Sequence, residues 1–291
     1  MSQVSLDDVV IKRRAGNLTR ADLMKMDPVG LRALFRERIH HTIEVEIYPI
    51  LLGRKPRPEE FGLQPELVLD VWRARGFSDK GDDFEWGQKY LDLASEMRAG
   101  RKVEIQGEIP KAFTDEEMAV VRKLLWGRCS VRDWVQGKPV PDEMIEQILE
   151  AGRAAPTGCN LSPARFVVIK DPEEARMVWS DIPTPIDQCV LIVICYDRRP
   201  YEAVGQINLV SHNMMLDAAA AADHMLLMAH ALGLGGVWLT CLENTAKTFH
   251  ERYGLPESVS QALHLAIGWP AMTSIKSLRM PLSEMMLARS K

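Results

Sequence analysis

The stretch Gly127-Arg128-Cys129-Ser130-Val131-Arg132-Asp133-Trp134 is answered, one helix later, by Ala154-Ala155-Pro156-Thr157-Gly158-Cys159-Asn160-Leu161-Ser162-Pro163. The first run sets Arg128 and Arg132 on either side of Ser130, which offers two planar cationic forks and a hydroxyl at a spacing that can clamp a phosphorylated, flat ligand. The second run reads as a rigid turn. Pro156 fixes one torsion, and Gly158 removes the side chain that would hold the backbone away from a ring. Two arginines around a serine are common on any surface, so the weight of the motif lies in what surrounds it.

Between the two runs, residues 141 to 154 carry Ile145, Ile148 and Leu149 at helical spacing. After the turn, Phe166 to Ile169 reads as a strand, as do Val190 to Ile194, Val237 to Leu239 and Ala262 to Ile267. A long helix before the third strand ends at Ala229-His230-Ala231-Leu232-Gly233-Leu234-Gly235-Gly236, and its run Ala218 to Ala222 suits close approach of a second helix. Upstream, Thr114-Asp115-Glu116-Glu117 is a capping box that starts a helix through Leu124 and Leu125 and delivers the chain to Arg128.

Residues 1–113 read as a helical region of their own. Asp27-Pro28 is an N-cap and N1 pair opening a helix with Leu31, Leu34, Phe35 and Ile39 on one face. Gln64-Pro65 opens a second with Leu67, Val71 and Trp72, and a third runs from about Asp82 to Met97. The segment from Lys102 to Lys111 looks extended. The division expected is therefore a helical extension, 1–113, and an α+β domain, 114–291.

Composition narrows the function. A chain of 291 residues with 46% hydrophobic and 26% charged residues has the make-up of a globular protein, and a net charge of −4 gives no electrostatic footprint for nucleic acid. No run reaches the roughly 18 apolar residues of a membrane span, and the N-terminus lacks the apolar core of a secretory signal, so a cytoplasmic protein is expected. The five cysteines and seven histidines form no zinc-like cluster, so no metal is expected. Cys129 and Cys159 invite a redox-sensor reading, yet a small residue is all either position needs to let a ligand approach, so they are read as packing residues. Gly233-Leu234-Gly235-Gly236 follows a helix and precedes a strand, the reverse of a dinucleotide-binding fingerprint, so a nicotinamide would visit a shared site as a substrate. His40-His41 reads as a solvated or interfacial pair, and Asp217, Asp223 and His224 as a polar face or helix-end contact, with a place at the cavity as the alternative.

The ordered set Arg128-x-Ser130-x-Arg132, helix, Ala155-Pro156-Thr157-x-x-Asn160-x-x-Pro163, strand resembles the signatures of the nitroreductase-like FMN flavoproteins. The Gly233 to Trp238 turn, the Ala266-Ile267-Gly268-Trp269-Pro270 strand exit and Lys276-x-x-Arg279-x-Pro281-Leu282 agree with it. The resemblance spans about 118 to 291 and implies an α+β nitroreductase-like fold with a central, mostly antiparallel sheet flanked by helices. It implies that Arg128, Cys129, Ser130, Arg132, Lys276 and Arg279 hold the phosphate, ribityl chain and pyrimidine edge of FMN. Pro156, Thr157, Gly158 and Asn160 would reach the flavin of the other subunit of a homodimer, and Leu239 and Thr240 would pass near its N5. The chemistry implied is ping-pong: NADH or NADPH reduces the flavin, and a small electron-poor aromatic, a nitroaromatic, a quinone or a halogenated phenol, is reduced in turn. The alternatives are an oxygen-using or flavin-fragmenting enzyme on the same fold, or an FMN-binding module whose extension docks a partner.

Two departures stand out. Ser162-Pro163-Ala164-Arg165 replaces the Gln-Pro-Trp found in many relatives, which alters the shape and charge beside the ring, while Ser130-Val131-Arg132 and Pro156-Thr157-Gly158 leave an iodotyrosine deiodinase-like variant open. The connection between strands 166–169 and 190–194 is also short. The helices from 27 to 98 are accordingly expected to roof the site, with Trp72 or Trp86 near the substrate.

Overall fold

The structure, a computed structural model, describes residues 5–107, 109–179, 185–208, 210, 212–241 and 243–290. Its centre is a four-stranded antiparallel sheet of β1 (Ala164–Ile169), β2 (Val190–Asp197), β3 (Gly235–Thr240) and β4 (Val259–Gly268), in the order β1-β2-β4-β3. Both faces of the sheet are covered, which is why β2 is a continuous apolar run with no polar alternation. Val190, Ile192 and Ile194 point to one side, and Leu191, Val193 and Cys195 to the other.

The first side is closed by α7 (Asp142–Arg153) and α10 (Asn213–Ala231), through Ile145 and Ile148 against Ala218, Ala222 and Met225. The small residues of α10 face the sheet and α7, so the run expected to admit a second helix does so within the chain. The other side is closed by Trp134, Val178, Trp179 and Phe249, carried by loops and by α8 (Pro172–Val178) and α11 (Glu243–Tyr253).

The N-terminal helices are α1 (Arg20–Lys25), α2 (Pro28–Ile39), α3 (Val45–Leu51), α4 (Leu63–Ala74) and α5 (Asp82–Arg98). Asp27 caps α2 through Val29 N at 2.8 Å, as its sequence requires. A π-helical turn, His40–Glu44, separates α2 from α3. Leu31, Leu34, Phe35, Leu67, Val71 and Phe84 form the centre of this region, and Leu161, Tyr201, Val204 and Met214 from the rest of the chain join the same apolar cluster. The short helix α9 (Arg199–Ala203), which carries Tyr201, packs on α2. Trp72 is 8% exposed in that core, with its indole N–H donated to Ser78 O, and Trp86 packs edge-on against Tyr90. Both indoles are thus committed within the helical region.

Two segments bury little. The helix α6 (Asp115–Gly127) starts with the expected capping box, Thr114 N to Glu117 Oε2 at 2.8 Å and Glu117 N to Thr114 Oγ1 at 3.2 Å, yet buries none of its residues. Val120, Leu125 and Trp126 stand exposed on it. The chain beyond Trp269, ending in α12 (Leu282–Met285), is exposed along almost its whole length and includes Ile275, Leu278 and Leu287.

Candidate functional site

The turn at 156–162 is backbone held in an unusual shape. Cys159, Asn160 and Ser162 have φ of 52°, 55° and 48°, left-handed values that cost a non-glycine residue about 1–3 kcal/mol unless the surroundings impose them. The surroundings do so from three directions. Gly158 N donates to Asp217 Oδ1 at 3.0 Å, Ser162 N donates to Thr157 Oγ1 at 3.2 Å, and the Arg36 guanidinium donates to the carbonyls of Asn160 at 3.1 Å and Leu161 at 2.7 Å. Glycine is needed at 158 because a Cβ there would stand 2.5 Å from the Tyr201 hydroxyl. That hydroxyl donates to Asp217 Oδ2 at 2.8 Å, and burial pushes the Asp217 carboxyl above the ordinary carboxylate range. The Tyr201 phenol is pushed up as well, first by burial and then by its bond to Asp217. Asp217 is therefore the anchor of the turn, a role that reading it as part of a polar helix face missed.

The cationic run is positioned differently. Arg128 caps α6 with extended backbone, and the next residues add a short rung beside β3: Ser130 pairs with Gly236, Val131 N donates to Gly236 O at 3.1 Å, and Trp134 Nε1 donates to Gly235 O at 2.8 Å. Gly235 must lack a side chain, since its Cβ would meet Val131 Cγ2 at 2.5 Å. Val131 and Trp134 are buried and fix the run, while Cys129 and Ser130 are half-buried and Arg132 is exposed. Lys276 Nζ lies 5.7 Å from the ring centroid of Trp126, which brings the C-terminal arm back to the end of α6. Arg279 is exposed on the same arm. Leu239 points into the core, so only its backbone can meet a ligand, whereas Thr240 shares the exposed face of β3 with Trp238.

Two facts describe what this arrangement can hold. Arg128, Arg132 and Arg279 make no ion pair or side-chain hydrogen bond among the described residues, in a protein whose other arginines are mostly paired to carboxylates or carbonyls. Uncommitted guanidinium groups around a serine hydroxyl match the donor set that a phosphate requires. The second fact is separation. Gly127 abuts His230, whose Nε2 is 2.8 Å from where a Cβ would stand, and Gly158 is bonded to Asp217. His230 follows Asp217 by thirteen residues on α10, about 20 Å at 1.5 Å per residue. Within one chain, the cationic run and the turn sit at opposite ends of one helix.

Comparison with known proteins bears on the fold and the family. The model of the nitroreductase family matches residues 125–269. A putative NADH dehydrogenase/NAD(P)H nitroreductase of Archaeoglobus fulgidus is 31% identical over 160 residues, covering 51% of this chain and 84% of that protein. A putative nitroreductase from Desulfovibrio desulfuricans, solved in complex with FMN, is 32% identical with a TM-score of 0.50, covering 62% of this chain and 99% of that one. A putative NADH dehydrogenase/NAD(P)H nitroreductase from Bacteroides thetaiotaomicron is 26% identical with a TM-score of 0.51, covering 59% of this chain and 98% of its own. With its antiparallel sheet, its clamp beside β3 and its anchored turn, the chain belongs to the nitroreductase family.

Proposed function

We infer that the protein is an oxidoreductase that holds FMN and takes its electrons from NADH or NADPH. Family membership, relatives named as NAD(P)H nitroreductases and an NADPH-flavin oxidoreductase, and the FMN-complexed relative support this reading. The observation that carries it to particular residues is that Arg128 and Arg132, on either side of Ser130 in the chain, and Arg279 on the C-terminal arm have no protein partner among the described residues. Arg128, Arg132 and Arg279, with Lys276, bind the phosphate and the electron-rich edge of the ring, and Cys129 leaves room beside them. FMN supplies the hydride and electron transfer when bound. The turn at Pro156, Thr157, Gly158 and Asn160 supplies backbone that lies against the ring, and Leu239 and Thr240 line its N5 side. These residues position and tune. No acid or base among them is required for hydride transfer.

We further propose that the enzyme is a homodimer with two shared sites, that its acceptor is a small electron-poor aromatic such as a nitroaromatic, a quinone or a halogenated phenol, and that it works in the cytoplasm as a helical extension, 1–113, joined to a catalytic domain, 114–291. The roughly 20 Å along α10 between the anchor beside the cationic run and the anchor of the turn supports sharing, because it holds the two groups of one chain apart. The apolar side chains exposed on α6 and on the C-terminal arm support an interface of substantial area. No helix among the described residues is long and apolar enough to cross a membrane.

A mixed dimer tests the shared site. One chain carries Arg128→Ala with Arg279→Ala, the other Gly158→Val, and each homodimer is expected to lose FMN. The mixed dimer restores one complete site and is expected to bind one FMN per two chains. A mixed dimer as empty as its parents would remove the shared site and leave the chain with a site of its own.

A further inference from the structure

Away from the clamp, a cavity of about 550 Å3 opens between the helical region and the back of the turn. Three groups capable of proton and sulfur chemistry meet at it. Glu37 is 1% exposed and its Oε1 lies 2.7 Å from His41 Nδ1, and Cys159 lines the same cavity as that imidazole. Cys159 is half-buried, in left-handed backbone with φ 52°, and its Sγ lies 3.7 Å from Gln206 Oε1. His41 pairs back with Glu37 and His40 forward with Glu44 at 2.7 Å, both at the i,i+4 spacing of one helix face, at the start of the π-helical turn His40–Glu44.

The cavity is also basic. Lys12, Arg13, Arg14 and Arg38 line it. Arg38 is committed to Glu37 and Lys12 reaches Glu60 at 3.5 Å, but Arg13 is bonded to the carbonyls of Gly16 and Ala203, and Arg14 has no partner among the described residues. A site of this charge attracts an anion.

We propose that Cys159, His41 and Glu37 form a thiol–disulfide exchange site for low-molecular-weight disulfides that bear carboxylates. Cys159 attacks as the thiolate, stabilised by the protonated imidazole that Glu37 orients and keeps charged. The new bond joins Cys159 Sγ to one sulfur of the disulfide. The reagent's S–S bond breaks, its electron pair leaves on the second sulfur as a thiolate, and Cys159 is oxidised as that sulfur is reduced. Arg13 and Arg14 receive the carboxylates. Consistent with a charged imidazole, His41 is held up to about 9, first by Cys159 and then by Glu37. By contrast, burial pushes the Cys189 and Cys195 thiols up to about 12, which makes them poor nucleophiles.

The site stands apart from the flavin reading, and its test uses no flavin. Reduced full-length protein is mixed with glutathione disulfide, an anionic probe, or with cystamine, a cationic one, and adducts are timed by intact mass and located by peptide mapping. Cys159 is expected to be modified about tenfold faster than Cys189 or Cys195, and faster by the anionic probe. His41→Gln is expected to slow the reaction about tenfold, and Cys159→Ser to abolish the fast adduct. Arg14→Glu, an exposed change that leaves the fold alone, is expected to erase the preference for the anionic probe. An adduct spread evenly over the cysteines, a rate unmoved by His41→Gln in a protein that melts normally, or equal rates for the two probes in the unaltered protein would each overturn the proposal.

Discussion

The guanidinium of Arg36, on the second helix of the chain, grips the carbonyl oxygen of Asn160 at 3.1 Å, 124 residues away, and that of Leu161 at 2.7 Å. The helical region is therefore part of the machinery that shapes the turn. Arg36 is itself held by Asp83 at 3.1 Å, and Asp83 is shared with Arg32 at 2.7 Å, so the carboxyl of Asp83 sits well below its ordinary range despite its burial.

Replacing Arg36 tests that link. Arg36→Met keeps the packed stem but leaves two carbonyls without their charged donor, at about 1.5–3 kcal/mol for a bond to a charged group. Denaturant unfolding is expected to show a loss in that range, and FMN titration a weakened affinity. Arg36→Lys is expected to recover only part of either, since an ammonium cannot fork across two carbonyls. A variant as stable and as tight-binding as the parent would mean that the turn is shaped by Asp217 alone.

At Asp217 the prediction turns on charge. Burial disfavours the carboxylate, so Asp217→Asn removes a charge that is costly to bury, keeps an acceptor for Gly158 N, and offers an amide N–H that the Tyr201 hydroxyl can accept. It is expected to be neutral or stabilising, whereas Asp217→Ala strands both donors and is expected to cost about 1–3 kcal/mol. Thermal melts of the two variants would separate these outcomes, and equal losses would contradict the account.

The clamp should behave in the opposite way. Because Arg128 and Arg279 have no protein partner among the described residues, Arg128→Ala and Arg279→Ala are expected to leave the unfolding free energy of the flavin-free protein within about 0.5 kcal/mol of unchanged. Each is expected to weaken FMN binding by about ten- to a hundredfold. Loss of stability without loss of FMN would show that these arginines serve the fold.

His264 offers a pH test of the core. It is fully buried on β4, edge-on to Trp179, with neither ring nitrogen hydrogen-bonded among the described residues, and burial lowers it from 6.5 to about 4. The unfolded chain binds this proton at a higher pH than the folded one does. Stability is thus expected to fall as pH drops from about 6.5 toward 4, by up to about 3 kcal/mol from this residue alone. His264→Phe is expected to flatten that acid limb in melts taken between about pH 7 and pH 5. An unchanged slope would mean that His264 is solvated.

Much of this was legible in the sequence, for local reasons. The Asp27-Pro28 start, the Thr114 capping box and the four apolar strands depend on neighbours a few residues away. The signature residues likewise keep their order along the chain. The anchoring of the turn was not legible, because Arg36 and Asp217 reach it across 124 and 59 residues, and no periodicity records such a pairing. That His41 and Cys159 line one cavity was not legible either, because they are far apart in the chain and no local pattern joins them. Trp72 and Trp86 were expected at the substrate, yet aromatic residues at helical spacing fill cores first, and both lie within the helical region.

The most direct test of the central claim is anaerobic mixing of the purified protein with NADH or NADPH while the visible spectrum is followed. A yellow protein that bleaches, regains its colour on adding a quinone, and releases FMN on denaturation is the predicted result. A colourless protein that ignores added FMN, or a yellow one that neither nicotinamide reduces, would contradict it.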